Sequence, residues 1–326
     1  MNALETIEML ARMQGSYLSP ARTAADLKPD IPRIRIWDAS DSGKRRFWRV
    51  SGDGHVGHDN EARMQPLCDF LQMQVLPVLA LEANVGGHFN VELHDSYSYL
   101  DRHPRAYYDN CLTFSKVWNH ARAVVVPDMY QMYGYGTIPR DPYTWAQKVP
   151  RLFGAYTTTG DRDPAKNERI LTCLRGLEHR EVCDLRITNV AQMSKEAFLA
   201  VPRASELLSP FVPPHEQLRH QCILTIRGNT ALWNLPWLLS SNSVMLQKHH
   251  EDVCWYSPLL LDGTHYKRSY SLEQALSQAE FFKNNPAEAQ HMTRCANRFV
   301  RDFMMPSSRA ALYWKFLLEE MADHGH

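Results

Sequence analysis

The sequence lacks an excess of charge of either sign. Lysine and arginine together number 36, aspartate and glutamate also 36, so no global field favours a polyanionic partner, and nucleic acid is excluded as the expected ligand. It lacks any CxxC or paired cysteine spacing, and its seven cysteines are an odd count. A disulfide framework and a zinc ribbon are both excluded on that pattern, and reduced thiols in a cytosol fit best. It also lacks a run of about 20 consecutive apolar residues, so no membrane-spanning helix is expected, while peripheral contact with a membrane surface stays open. The first residues, "MNALETIEMLARMQGSYLSP", carry acids where a signal peptide carries bases and have no continuous apolar core. They read as an amphipathic helix. No internal repeat and no low-complexity run interrupts the chain.

What is present is an ordinary globular composition, 44% hydrophobic and 22% charged over 326 residues. That length exceeds what one hydrophobic core usually serves, so two domains are expected. "PRIRIWDAS" and "KRRFWRVSG" read as a hairpin about the polar turn Asp41-Ser42-Gly43. "MQPLCDFLQMQVLPVLALEANV" has helical spacing as far as the breaker pair Gly86-Gly87. "HFNVELHDS" alternates as a strand ending on Asp95, and "ARAVVVPDMY" is a buried strand ending at Pro127-Asp128. "PRLFGAYTTTGDRDP", "VCDLRITNV", "CILTIRG" and "NSVMLQK" are further strands, the first followed by the helix "PAKNERILTCLRGL". Two amphipathic helices, "EAQHMTRCANRFVRDFM" and "SRAALYWKFLLEEMADH", close the chain. Strands alternating with helices predict an α/β architecture with mainly parallel sheets. The Pro/Asp/Tyr-rich segment Gly134 to Pro150 is the candidate linker between two halves.

In parallel α/β sheets, ligands bind outside the carboxyl ends of the strands, so polar residues there carry the functional argument. Arg227-Gly228-Asn229-Thr230-Ala231 follows one such strand and precedes an apolar, helix-like run. It reads either as a strand-to-helix turn with a surface arginine or as a phosphate site. In the second reading a bidentate arginine, a glycine that admits a ligand and a helix start combine. The stretch Thr157 to Pro164 sets Thr158, Thr159, Gly160 and Arg162 in a second strand-to-helix turn. Asp161 and Asp163 there have the look of a metal-holding carboxylate pair, but Asp163 before Pro164 also reads as a helix cap, the reading preferred here. Asp95 stands where a general base could face a cleft. His249-His250-Glu251-Asp252 reads as a solvated turn rather than a metal site, since adjacent histidines rarely converge on one ion.

Taken in order, "FGAYTTTGDRDP", "CILTIRGNTALWNLPWLLSSNSVMLQK", "CWYSPLLLDGTHYKRSYSLEQAL" and "YWKFLLEEM" resemble glycosyltransferase family 90. These are the capsule-associated and lipopolysaccharide-modifying transferases that also include the protein O-glucosyltransferases. The resemblance runs from about Arg151 to Met321 and is thin before His88. It departs from the family pattern at Gly154, Ala155 and Thr157, where the family has an arginine, a glycine and an arginine.

The resemblance implies a GT-B fold, two Rossmann-like domains facing across a cleft. Residues 1–146 would form an acceptor and catalytic-base domain, with the C-terminal helix 307–326 packing back on it. Residues 147–306 would bind the UDP-sugar. The implied reaction is inverting transfer of a sugar, glucose or xylose, from a UDP-sugar to a glycan or glycolipid such as lipopolysaccharide or capsule, at the cytoplasmic face of the inner membrane. The alternative is a non-catalytic nucleotide-sugar or glycan-binding protein on the same fold. Arg162, Arg227 and the turn Gly228, Asn229, Thr230 and Ala231 would grip the donor diphosphate. Asp95 would be the base, with Asp128 in reserve, and Thr158, Thr159, His265 and Tyr266 would add donor or acceptor contacts. No cofactor or metal is required in this reading; a divalent metal on Asp161 and Asp163 is the competing one. Base and donor would have to meet across the cleft, and the last helix would bury an apolar stripe of Leu312, Phe316 and Met321 flanked by Trp314 and Leu318.

Overall fold

A computed structural model describes residues 2–16, 33–39, 48–53, 58–79, 83–92, 111–114, 116–117, 123–128, 132, 138, 140–229, 234–305 and 307–324. The chain divides into two compact units. One comprises residues 1–136, 252–256 and 302–326, and the other residues 137–251 and 257–301.

The first unit is built on a five-stranded mixed sheet. Its strands are β1 (Arg33–Asp38), β2 (Trp48–Asp53), β3 (Gly87–Glu92), β4 (Cys111–Thr113) and β6 (Val124–Val125), in the order β2-β1-β3-β4-β6. β1 pairs antiparallel with β2 in the expected hairpin and antiparallel with β3, whereas β3, β4 and β6 run parallel. In β1 the inward residues Ile34 and Ile36 are buried while Arg35 between them is exposed, the period-2 signature of a half-covered strand. β5 (Lys116–Val117) pairs antiparallel with β11 (Asp252–Val253), so a short piece from late in the chain returns to this unit.

The helix His58–Phe70 continues without a break through a π turn, Leu71–Val75, and a 3-10 turn, Leu76–Val78. The closing helix, Ser308–His324, packs against the helix Ala3–Gly15 within the same unit. Its buried face is Tyr313, Trp314, Leu317, Leu318 and Met321, all at 0% exposure, while Leu312 and Phe316 are only half-buried. Met321, Trp314 and Leu318 are thus buried as expected, whereas the centre of the face lies off Leu312 and Phe316 and takes in Tyr313, which donates its hydroxyl to the Val125 carbonyl at 2.8 Å.

The second unit holds a fully parallel sheet of β7 (Val149–Thr157), β8 (Cys183–Asn189), β9 (His220–Thr225), β10 (Val244–Lys248) and β12 (Lys267–Ser269). The spatial order is β12-β10-β9-β7-β8. Numbered within this sheet, that is 2-1-3-4-5, a doubly wound Rossmann-like order whose direction reverses between β7 and β9. Near-continuous burial along β9 and β10 shows both faces covered, as parallel sheets require. The core joins Leu152, Ile187, Leu224 and Leu246 from the strands to Ile170, Leu272, Ala275 and Phe282 from the helices.

Below the sheet, the amino end of β7 is anchored by a buried ion pair. Lys148 meets the Asp141 carboxylate at 2.7 Å, and both side chains are almost fully enclosed. Asp141 also accepts from the backbone N–H groups of Tyr143 and Asn242, so the carboxylate is fully engaged. All seven cysteines are free thiols, and six are buried as small apolar side chains.

Candidate functional site

The carboxyl edge of the parallel sheet brings two of the sequence-selected turns together. After β7 the chain enters Thr158, Thr159, Gly160, Asp161 and Arg162; after β9 it enters Ile226, Arg227, Gly228 and Asn229. The Gly160 N–H donates to the Asn229 side-chain oxygen at 3.0 Å and lies 3.1 Å from the Gln192 side-chain oxygen. Gly160 adopts φ +119°, a conformation that an L side chain rarely adopts. The two turns thus meet where the strand order reverses, the position at which doubly wound sheets hold their ligands.

Arg169, which sequence reasoning passed over, binds the two turns to each other. It stands in the first turn of the helix Glu168–Gly176, capped by the Asn167 side chain, and reaches back to the strand ends. Its Nη1 donates to the Thr157 carbonyl at 2.8 Å and the Thr159 hydroxyl at 2.7 Å. Nε and Nη2 donate to the Ile226 carbonyl at 3.2 and 2.9 Å, and Nε also to the Arg227 carbonyl at 3.2 Å. Gly228 is laid directly on this guanidinium. A Cβ there would sit 2.6 Å from the Thr159 hydroxyl and 2.8 Å from Arg169 Nη2. No motif spacing links Arg169 to Gly228; the available signal was an arginine in the first helical turn, where acids are the usual choice.

The remaining selected residues fall out variously. The Thr158 hydroxyl is buried and spent on the sheet, accepting from Ala191 N–H and donating to its carbonyl, both at 2.8 Å. Arg162 is exposed on the turn. Asp163 caps a turn and not the helix: its carboxylate accepts from Ala165 N–H at 3.0 Å and pairs with Lys166 at 3.3 Å, while Asp161 accepts from Asp163 N–H. The helix begins only at Glu168, because Asn167 supplies the better-placed cap, its oxygen accepting from Ile170 N–H. Beyond Asn229, Thr230 and Ala231 lie outside the described residues, and the next described helix is Leu235–Leu239.

At the ends of β10 and β12 a second group gathers. His250 is close to Gln247, with 2.5 Å between their side-chain nitrogens. Burial first, then the charges of Arg227, His249 and Arg268, hold its imidazole down to about 4. The His249 and Tyr270 rings lie 5.0 Å apart, and Tyr266 accepts from Arg268 at 3.0 Å. His265 serves its own turn, accepting from Leu261 N–H at 2.9 Å with its ring 5.0 Å from Phe299.

In the first unit, Asp128 lies three residues beyond β6, buried, and is close enough to Cys254 to add to the burial that raises that thiol's pKa. Asp95 lies outside the described residues; β3 itself ends at Glu92. A cavity of about 550 Å³ between the β1–β2 hairpin and the helix after it is lined by Trp37, Arg49, Gln65, Asp69 and Gln72 and includes no sequence-selected residue. Among the described residues, no helix is long and apolar enough to cross a membrane.

A parallel doubly wound sheet with glycine- and arginine-bearing turns at its switch point defines a Rossmann-like α/β protein. The model of glycosyl transferase family 90 matches residues 143–324, more than half of the chain, and the chain belongs to that family of glycosyltransferases. No match is found among curated proteins. Similar solved structures include TarM, with 10% identity over 56% of this chain and 37% of that one, at a TM-score of 0.41. The GtfA/B complex shares 10% identity over 67% of this chain and 42% of that one, with a TM-score of 0.39. The C-terminal domain of a glycosyl transferase group 1 family protein (LpcC) from Francisella tularensis shares 8% over 50% of this chain and 93% of that domain, with a TM-score of 0.34. The chain spans less than half the length of the first two.

Proposed function

We propose that the protein transfers a sugar from a UDP-sugar to a glycan or glycolipid acceptor, with inversion at the anomeric carbon. Glucose or xylose is the sugar proposed, and lipopolysaccharide or capsule at the cytoplasmic face of a membrane the acceptor. The observation that carries this reading is the union of the two turns at the β7/β9 switch point, where Gly160 N–H meets Asn229 and both turns carry an arginine. A departing nucleoside diphosphate needs its charge absorbed, and cations with aimed N–H groups do so without a metal. Arg162 and Arg227 take that role here, with Gly228, Asn229 and the following Thr230 and Ala231. Asp95 takes the acceptor proton as general base, with Asp128 as the second candidate.

The test is UDP release from a panel of UDP-sugars, read beside UDP affinity by calorimetry. Arg227→Ala should weaken UDP binding by a few kcal/mol, the scale of a charge-assisted bidentate contact, while the variant stays folded. Asp95→Asn should bind UDP normally and fail to transfer, because the base acts on the acceptor. Unchanged UDP affinity in folded Arg227→Ala removes the arginine from the site. Normal turnover by Asp95→Asn with a dead Asp128→Asn moves the base to Asp128. Binding without turnover of any UDP-sugar would leave a nucleotide-sugar-binding protein on this fold.

A further inference from the structure

Among the described residues, no carboxylate hydrogen-bonds or pairs directly with Arg169. Its five described hydrogen bonds end on four neutral oxygens, the carbonyls of Thr157, Ile226 and Arg227 at the ends of β7 and β9 and the Thr159 hydroxyl. The neighbouring carboxylate, Glu168, makes its ion pair with Lys248 at 2.8 Å and acts on Arg169 only through its field. Below the guanidinium lies the Tyr156 ring, 5.8 Å from its carbon, whose hydroxyl is fixed on the Leu224 carbonyl at 2.7 Å. Above it lies Gly228, which has no room for a side chain. A planar five-donor fork clasped in this way has one available pose, and the loops it holds have correspondingly little freedom. Partial burial also keeps its charge from being screened as a surface charge would be.

We propose that Arg169 is the positioning residue for an anionic ligand at this edge, acting through the turns that carry Arg162 and Arg227 and through its own charge. This deepens the donor-diphosphate reading above and rests on it. Arg169 itself is not assigned a contact with the ligand; it sets where the backbone of Thr157–Gly160 and Ile226–Asn229 lies and adds positive potential there. The chemistry selected is a phosphate or diphosphate group rather than the nucleoside attached to it.

The experiment titrates UDP and uridine into the full-length protein and into Arg169→Met, Arg169→Lys and Arg227→Ala, with folding checked by circular dichroism and thermal unfolding. Arg169→Met should lose about tenfold or more in UDP affinity, while uridine affinity changes little, because the lost interaction is with charge. Arg169→Lys keeps the cation without the fork and should recover part of the UDP affinity; it also serves as the test where the methionine variant does not fold. The salt dependence of UDP binding should flatten in Arg169→Met alone of these two. Equal losses for UDP and uridine would show a merely structural arginine and overturn the proposal. So would a folded Arg169→Met, or failing that a folded Arg169→Lys, with wild-type UDP affinity while Arg227→Ala has lost it. If Arg227→Ala also binds UDP as wild type does, it is the donor-site reading that fails.

Discussion

His250 lies among cations. Burial and the charges of Arg227, His249 and Arg268 keep it neutral down to about 4, whereas an unperturbed histidine takes its proton near 6.5. Between those two values the unfolded chain binds the proton and the folded one does not, so this residue costs stability as pH falls from about 6.5 to about 4, and no more below that. Wild type should therefore lose stability faster than His250→Gln between pH 7 and pH 4.5, the two curves separating by up to a few kcal/mol in denaturant melts. Parallel curves would mean that the imidazole is not held neutral by this surrounding. The same residue scale shows what a sequence conceals. Gly228 reads as an opening for a ligand, yet the space beside its Cα is filled by Thr159 and Arg169. Thr158 reads as a contact and is consumed by Ala191. Both facts depend on partners tens of residues away, which no local pattern displays.

Among elements, β7 decides the geometry of the site. Its register against β8 shifts between Tyr156 and Thr157, so that Thr157 faces Asn189 instead of Thr188. The extra residue at this irregularity is Thr188 of β8, and Thr158, the first residue beyond β7, is held on the β8 side by Asn189 and Ala191. Two positions before Tyr156, Gly154 leaves the space that the phenol occupies, since a Cβ there would lie 2.1 Å from the hydroxyl oxygen. The phenol then donates across to Leu224, joining β7 and β9 at the level just beneath Arg169. Tyr156→Phe should cost about 1–2 kcal/mol by chemical denaturation, because it leaves the buried Leu224 carbonyl without this donor. A cost near zero would mean that water or another donor replaces it. The strands of this unit were legible because each is a short apolar run bounded by turn residues, and the parallel class followed from their alternation with helices. The helix start at Asn167 was not, because Asp163-Pro164 carries a stronger cap signal than the asparagine that prevails. Asp163 is satisfied locally by Ala165 and Lys166, which leaves Asn167 to hold Thr158, Asp161 and Ile170 together.

At the scale of the molecule, the sequence pattern conveyed which segments are amphipathic but not how each is rotated. The closing helix shows the reason. Its apolar residues extend around more than one face, so periodicity alone leaves the buried side ambiguous. Specific partners settle it: Tyr313 on Val125, Arg12 on Glu320 at 2.9 Å, and Gly15 against the helix backbone. Gly15 is the tightest of these. A Cβ there would approach the Leu317 carbonyl to 2.8 Å and Glu320 Cβ to 2.9 Å, so the first and last helices of the unit touch with no side chain between them. Gly15→Val should wedge them apart and destabilise the first unit by about 1–3 kcal/mol, the usual scale for overpacking. Trp314→Ala, which empties a fully buried indole position on the facing helix, should cost about 3–5 kcal/mol. Hydrogen exchange separates a local from a general effect. Faster exchange in Ala3–Gly15 and Ser308–His324, with unchanged protection across β7 to β12, is the expected result, because every contact named here lies within one unit. Uniform loss of protection over both units would show instead that the two helices support the second unit's stability as well as their own.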